Sequence, residues 1–277
     1  MRIQYPSYFI FYTFFIFLTL LLFIELQNRK ILEELQLKKQ MLLKQGVAPT
    51  LNTLGVSSTG SVSNIIMTGL RLRQLEDYLQ QLDVFENPKV TLEQYATSAH
   101  IAAHLLYTAQ SQFDDIKGKS VADLGSGCGT LSLGAKMLGA EYVLGFEIDS
   151  EAVDIQHRNC SDIELFVEVV QCDVLQYLPG KFEKYFDTVI MNPPFGTKNN
   201  AGIDMKFLET AISLSSNAVY SLHKSSTRDY VLSKATQLGA RGTVIAELRY
   251  DLPRAYKFHK KASIDIQVDF IRFELKC

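Results

Sequence analysis

A chain of 277 residues, 47% of them apolar, can bury one sizeable core and still carry an extension. A formal net charge of −2 excludes a polycation that coats nucleic acid without selection, so any RNA contact must come from local patches. The four cysteines, Cys128, Cys160, Cys172 and Cys277, show no CxxC spacing, which argues against a disulfide or zinc framework and for reduced thiols of the cytoplasm or nucleus.

Residues 1–66 read as a separate segment. No charge falls between Arg2 and Glu25, and the apolar run from Ile3 to Ile24 can span a bilayer core of about 30 Å. No small-residue cleavage site follows it, so a signal anchor is expected rather than a cleaved signal peptide. Arg29, Lys30, Lys38, Lys39 and Lys44 outweigh the charge before the run, which would leave the remainder of the chain in the cytoplasm. Gly46 to Gly60 is rich in Pro, Gly, Ser, Thr and Asn and reads as a linker. Met67 then opens a second segment, expected to be a catalytic domain over 67–277, with 1–66 as an anchor or a leader foreign to it.

Leucines at 70, 75, 79 and 82 lie close to one face of a helix over Leu70 to Leu82. The segment Gln94 to Thr97 leads into a second helix, about His100 to Thr108, with Thr97 or Ser98 as its N-cap. The stretch Ser120 to Leu131 is more informative. An apolar strand ends in Asp123-Leu124-Gly125-Ser126-Gly127-Cys128-Gly129-Thr130, a glycine loop that opens a further helix and lets a ligand approach the backbone. Its Asp-x-Gly-x-Gly-x-Gly spacing differs from the dinucleotide GxGxxG, and Asp123 at its head suits the amino group of a methionine moiety better than a pyrophosphate.

A second strand, Tyr142 to Phe146, ends at Glu147-Ile148-Asp149, about twenty residues after the loop, the gap at which an acid meets a ribose in nucleotide-binding folds. A third, about Phe166 to Gln171, ends at Cys172-Asp173-Val174, where Asp173 could meet an adenine amino group. The fourth run, Phe186 to Met191, stops at Asn192-Pro193-Pro194-Phe195. Proline supplies no ladder donor, so the chain must leave the sheet there and Asn192 sits at the carboxyl end of a buried strand, the edge where open α/β sheets bind ligands. The Asn192 amide oxygen and the Pro193 carbonyl could accept both hydrogens of an exocyclic NH2, while Phe195 offers a stacking face. Such a tetrad suits transfer to a planar amino nitrogen.

Ala218 to Leu222 and Thr243 to Leu248 supply two more strands. Ile264 to Leu275 alternates apolar and polar residues with a phase slip at Phe270-Ile271, and suits an antiparallel strand near a sheet edge with a bulge at the slip. The expected fold is α/β, a doubly wound, seven-stranded, mostly parallel sheet with the last strands antiparallel. Two basic clusters, His223-Lys224 with Arg228 and Arg254 to Lys261 with Tyr256 and Phe258, are candidate RNA surfaces. Neither His223 nor His259 has metal-ligand spacing, and no metal site is expected.

These blocks resemble the class I S-adenosylmethionine-dependent methyltransferases and, more closely, the family of ribosomal-RNA adenine N6-methyltransferases. The closer match is carried by Glu93-Gln94-Tyr95, Asp123-Leu124-Gly125, Gln171 to Val174, Phe186 to Asn200, Ser221 to Arg228, Ala246 to Pro253 and Tyr256 to Lys261. It begins at Met67 and leaves 1–66 unmatched. The resemblance implies that S-adenosyl-L-methionine is held by Gln94, Thr97, Gly125, Cys128, Thr130, Glu147, Asp173 and Val174, with catalysis on Asn192, Pro193, Pro194 and Phe195. It further implies a small-subunit rRNA substrate, a heterodimer with a small zinc-binding methyltransferase activator subunit, and a cytoplasmic and nuclear enzyme, membrane-bound only if segment 3–24 is made. The apolar stretch Leu165 to Val170 is the candidate edge for that partner. Two departures stand out: Glu147 replaces a more usual aspartate, and Ala96, Ser98 and Ala99 replace a more proline-rich segment. Two other functions fit the same residues, a protein glutamine methyltransferase and a silent donor-binding scaffold.

Overall fold

The computed structural model describes residues 69–196, 200–253 and 263–275. The hydrophobic segment, the linker, the Met67 start and the basic cluster at 254–261 lie outside them. In chain order the elements are α1 (Leu72–Leu79), α2 (Ala99–Phe113), β1 (Ser120–Leu124), α3 (Thr130–Met137), β2 (Tyr142–Glu147), α4 (Ser150–Asp162) and β3 (Glu168–Gln171). Then follow α5 (Val174–Tyr177), β4 (Phe186–Met191), α6 (Ile203–Leu214), β5 (Ser215–Lys224), α7 (Arg228–Gln237), β6 (Ala240–Pro253) and β7 (Ser263–Leu275). No helix among the described residues is long and apolar enough to cross a membrane.

The strands form one seven-stranded sheet in the order β3-β2-β1-β4-β5-β7-β6. β1 to β5 pair in parallel, and β7 runs antiparallel to both β5 and β6. Successive strand residues point to opposite faces, so neighbours in sequence belong to different layers. Val121, Val143, Ile190 and Phe270 pack with Leu75, Leu106 and Leu133 on one side. Ala122, Leu144, Val189 and Ile271 pack with Leu178, Leu208 and Val231 on the other. Both faces are covered, which is why the strands read as near-continuous apolar runs.

β7 is antiparallel and next to the sheet edge, as expected, but the extra residue of the bulge at Phe270-Ile271 is not its own. It lies between β5 and β6, and β6 ends the sheet. Alternation continues through the supposed slip: Val268 and Phe270 face one layer, Ile271 and Phe273 the other. Phe270 and Ile271 are both apolar because both faces are buried there. The irregularity lies on β6 instead, where Val244 pairs with Ile271 and Ala246 with Phe270, leaving Ile245 over.

The first basic cluster is also corrected. His223 is fully buried, with Nε2 3.0 Å from Ser221 Oγ and Nδ1 3.4 Å from Asp204 Oδ2. Arg228 forks onto the buried carboxylate of Asp269, through Nε at 2.6 Å and a terminal nitrogen at 2.7 Å, and also reaches Glu247. Two of its three basic residues therefore serve the fold, not an RNA face.

Candidate active site

The sheet register builds the site. Leu124 pairs with Phe146 of β2 and with Met191 of β4, so the next residue on each strand, Gly125, Glu147 and Asn192, falls in one row at the carboxyl edge. Glu147 in turn pairs with Gln171 of β3, which brings Asp173 to the same end. Every strand-end residue singled out in the sequence is thus gathered along one side of the sheet.

On the donor side, Asp123 is buried, and its Oδ2 accepts a hydrogen bond from Ser132 Oγ at 2.6 Å. Its Oδ1 has no hydrogen-bond partner among the described residues. Burial pushes this carboxyl up to about 7, against the pull of the Ser132 bonds. A buried carboxylate oxygen left without a donor is costly, and the ammonium of a methionine moiety would satisfy it. The residues present therefore fit the cofactor that the resemblance implies.

The loop that follows is shaped by glycine. Gly129 has φ +88°, the N-cap of α3, and a Cβ there would lie 2.7 Å from Gln156 Cγ. Only a residue without a side chain turns the chain into α3 at this point. The Gly127 N–H donates to Glu147 Oε2 at 2.8 Å, while Glu147 Oε1 accepts from the N–H groups of Ile148 and Asp149. Burial raises the Glu147 carboxyl and these three backbone bonds oppose it. Glu147 thus ties the glycine loop to the end of β2 while keeping acceptor capacity for a hydroxyl. Cys128 is buried with its thiol pushed up to about 12 by burial, which keeps it neutral, and Thr130 begins α3. Asp173 caps α5, accepting from the Leu175 N–H at 2.9 Å, with Val174 buried beside it.

Gln94 takes a part that its sequence context does not suggest. Its Nε2 donates to Asp149 Oδ2 at 2.7 Å and its Oε1 accepts from the Lys89 N–H at 2.7 Å. Burial would raise the Asp149 carboxyl, but hydrogen bonds from Gln94 and Lys89 outweigh it and hold Asp149 below the usual range. The loop ahead of α2 is thereby clamped to the end of β2. Ser98 is the N-cap of α2, its Oγ accepting from the Ile101 N–H.

On the acceptor side, Asn192 Nδ2 donates to Thr97 Oγ1 at 2.9 Å and to the Tyr250 hydroxyl at 3.1 Å. Tyr250, buried on β6, donates its own proton to the Ala96 carbonyl at 3.2 Å, so its oxygen is left to receive from Asn192. Both bonds engage the amide nitrogen. They leave Oδ1 as the acceptor end of the amide. The Phe195 ring meets the Tyr250 ring edge to face, with centroids 6.0 Å apart, and is itself only partly buried.

The site can therefore hold a charged amino group on Asp123 and hydroxyls on Glu147, and it offers paired acceptors to a flat amino-bearing ring at Asn192 and Pro193. Comparison with known proteins decides the family. The Methyltransferase small domain matches residues 97–218. The chain is 57% identical over 210 residues to the rRNA N(6)-adenosine-methyltransferase Mettl5 of Drosophila melanogaster, covering 76% of this chain and 99% of that one. It is 60% identical over 205 residues to the METTL5 of Danio rerio, covering 74% and 99%. The chain belongs to the METTL5 family.

A crystal structure of PH1948 from Pyrococcus horikoshii, a candidate RNA methyltransferase, superposes with a TM-score of 0.65 at 38% identity, covering 75% of this chain and all of that one. Its neighbourhood confirms a class I methyltransferase sheet for this METTL5-family chain. Tyr250, Lys89 and Asp149 are site residues that motif reasoning missed. The signal for Tyr250 was available: Ala246, Leu248 and Tyr250 alternate along β6, which puts the tyrosine on the same face as Phe270 and next to the tetrad.

Proposed function

We propose that this METTL5-family enzyme transfers the methyl group of S-adenosyl-L-methionine to the N6 of one adenosine in small-subunit rRNA. The observation that carries the reading is the fixed orientation of Asn192. With its nitrogen committed to Thr97 and Tyr250, the Asn192 Oδ1 can only accept, as does the Pro193 carbonyl. The two acceptors take the hydrogens of an exocyclic amine, drawing its lone pair out of conjugation and toward the methyl. Phe195 holds the extruded base by stacking. When bound, the donor supplies an electrophilic methyl on a sulfonium; Asp123 receives its amino group, Gly125, Cys128 and Thr130 line its approach, Glu147 receives its ribose, and Asp173 and Val174 meet its adenine. Gln94 and Thr97 act on it through the loop they hold. As the nitrogen–methyl bond forms, the sulfur–methyl bond breaks and the amine proton leaves to solvent.

The test is to incubate the full chain, co-expressed with the small zinc-binding activator subunit, with labelled donor and total RNA, beside Asn192→Ala. N6-methyladenosine in small-subunit rRNA, absent in the variant, is the expected result. Protease-sensitive label would turn the reading to a glutamine methyltransferase, and donor binding without label to a scaffold. The activator subunit is assigned to the β3 side of the sheet, where Phe166 is 71% exposed; Phe166→Asp is expected to weaken co-purification. Residues 67–277 are proposed as the working enzyme of cytoplasm and nucleus, with membrane attachment only where segment 3–24 is translated, and N-terminal peptide mapping of the cellular protein decides between the two forms.

A further inference from the structure

His100 and His104 stand four residues apart on α2, and therefore on one face of the helix, above Glu76 of the neighbouring α1. One donor atom from each of the three lies within 4.8 Å of the other two. His100 Nδ1 is already 2.9 Å from Glu76 Oε1, and the two imidazole rings sit 4.4 Å apart between centroids. None of the three contributes to the active site described above.

Two imidazoles at that distance, their planes tilted by 54°, form with the carboxylate a three-donor set on one face. Imidazole nitrogen excludes magnesium and calcium, which take oxygen ligands, and suits first-row transition metals, zinc above all at cellular availability. Zinc bonds of about 2.0–2.1 Å to nitrogen and oxygen in a tetrahedral set require donors about 3.4 Å apart. The contraction from 4.8 Å is within reach of side-chain rotation, because the His100 side chain is 66% exposed and can change rotamer without moving the helix. Two histidines at i and i+4 on one helix face are a strong metal-binding arrangement, and the Glu supplies the third ligand from a second element.

We propose that Glu76, His100 and His104 form a zinc site that staples α1 to α2, with solvent water in the fourth position. The site has a structural consequence of its own. His100 lies in the first turn of α2, and α2 begins one residue after Ser98, the N-cap that follows Thr97. Thr97 in turn accepts the Asn192 amide. A metal on this face fixes the start of α2 to α1 and steadies the loop from which Thr97 projects.

The purified full chain, without the activator subunit and stripped with chelator, is titrated with zinc chloride against a chromophoric competitor, and its melting is followed by circular dichroism. The expected result is one ion bound per chain, a higher melting temperature with zinc, and at least tenfold weaker binding with loss of the thermal shift in both His104→Gln and Glu76→Gln. Cobalt in place of zinc should give visible ligand-field bands with no thiolate-to-metal charge transfer, which separates this site from the cysteines. Melting of each variant without metal verifies that it is folded. Unchanged affinity in folded His104→Gln, a thiolate band with cobalt, or no saturable binding at stoichiometric zinc would each overturn the assignment.

Discussion

The hydroxyl of Tyr250 on β6 receives the side-chain nitrogen of Asn192, 58 residues earlier in the chain, at 3.1 Å, and passes its own proton to Ala96. A side-chain amide whose nitrogen and oxygen could otherwise exchange places is held one way round by a relay that crosses from β6 to the loop before α2. Burial keeps this hydroxyl neutral by raising its pKa, against the bonds from Thr97 and Asn192.

Tyr250→Phe keeps the ring against Phe195 and removes only the hydroxyl. The bonds from Asn192 and to Ala96 are both lost; only the first orients the amide directly, and at about 1 kcal/mol for it kcat is expected to fall about tenfold or less with donor affinity unchanged. Asn192→Ala, which removes the acceptor itself, should cost on the order of 10² to 10³ in kcat. Steady-state kinetics with donor binding by calorimetry separates the two.

Donor binding should depend on pH through Asp123. In the donor-free protein its carboxyl titrates at about 7 because it is buried. An ammonium partner stabilises the charged form, so below about 7 a proton must leave before the donor binds. The donor Kd is expected to rise about tenfold per pH unit below that value and to be flat above it. For folding the sign is opposite: the folded chain holds this proton longer than an unfolded aspartate of about 3.9, so ionising Asp123 costs stability as pH rises from about 4 to about 7. Asp123→Asn should bind the donor weakly at every pH, with the slope gone. Calorimetric titration from about pH 5.5 to about pH 8, on both sides of the shifted carboxyl, measures it.

Gly129→Ala places a methyl group against Gln156 at a positive φ. A loss of about 1–3 kcal/mol in urea-melt stability is expected without donor present, since a side chain in that region is strained whatever the loop binds. Gln156→Ala in the same background should recover part of it by opening the space.

Arg228 and Asp269 predict an acid limb. The Asp269 side chain is buried; burial would raise its carboxyl, but Arg228 and Ser225 outweigh it and hold it below its ordinary value. A depressed carboxyl contributes stability that is present above the unfolded value near 4 and lost as pH falls through the lower folded one. Arg228→Gln strands the buried carboxylate and should lower stability at neutral pH. The difference from wild type should shrink below about pH 4, as chemical denaturation at several pH values would show.

Elements whose signal is local were readable in advance. The apolar run of β4 was expected over Phe186 to Met191 and is observed there, because a two-sided buried strand followed by two prolines has little choice of ends. Ser98, one of the two candidate caps, proves to be the cap of α2, and the glycine loop opens α3 as its spacing required. The row of Gly125, Glu147 and Asn192 also follows from local order once the strands are parallel, since equal strand ends fall on one edge.

What could not be read depends on which distant surfaces meet. The apolar pair Phe270-Ile271 looks the same in a bulged strand and in a strand buried on both faces; only the pairing of β7 with both β5 and β6 decides, and it puts the extra residue on β6, at Ile245. A basic cluster near Arg228 looks like an RNA face until Asp269, 41 residues away, is brought beneath it. Gln94 reaches Asp149 across 55 residues, and His100 reaches Glu76 across 24. Periodicity and turn chemistry act over a few residues and so determine elements and their ends, including the chemistry that stands at them. The orientation of Asn192, the clamp on the loop before α2 and the sheet order of the last strands arise from register and packing between elements far apart in the chain, where no local pattern carries the information.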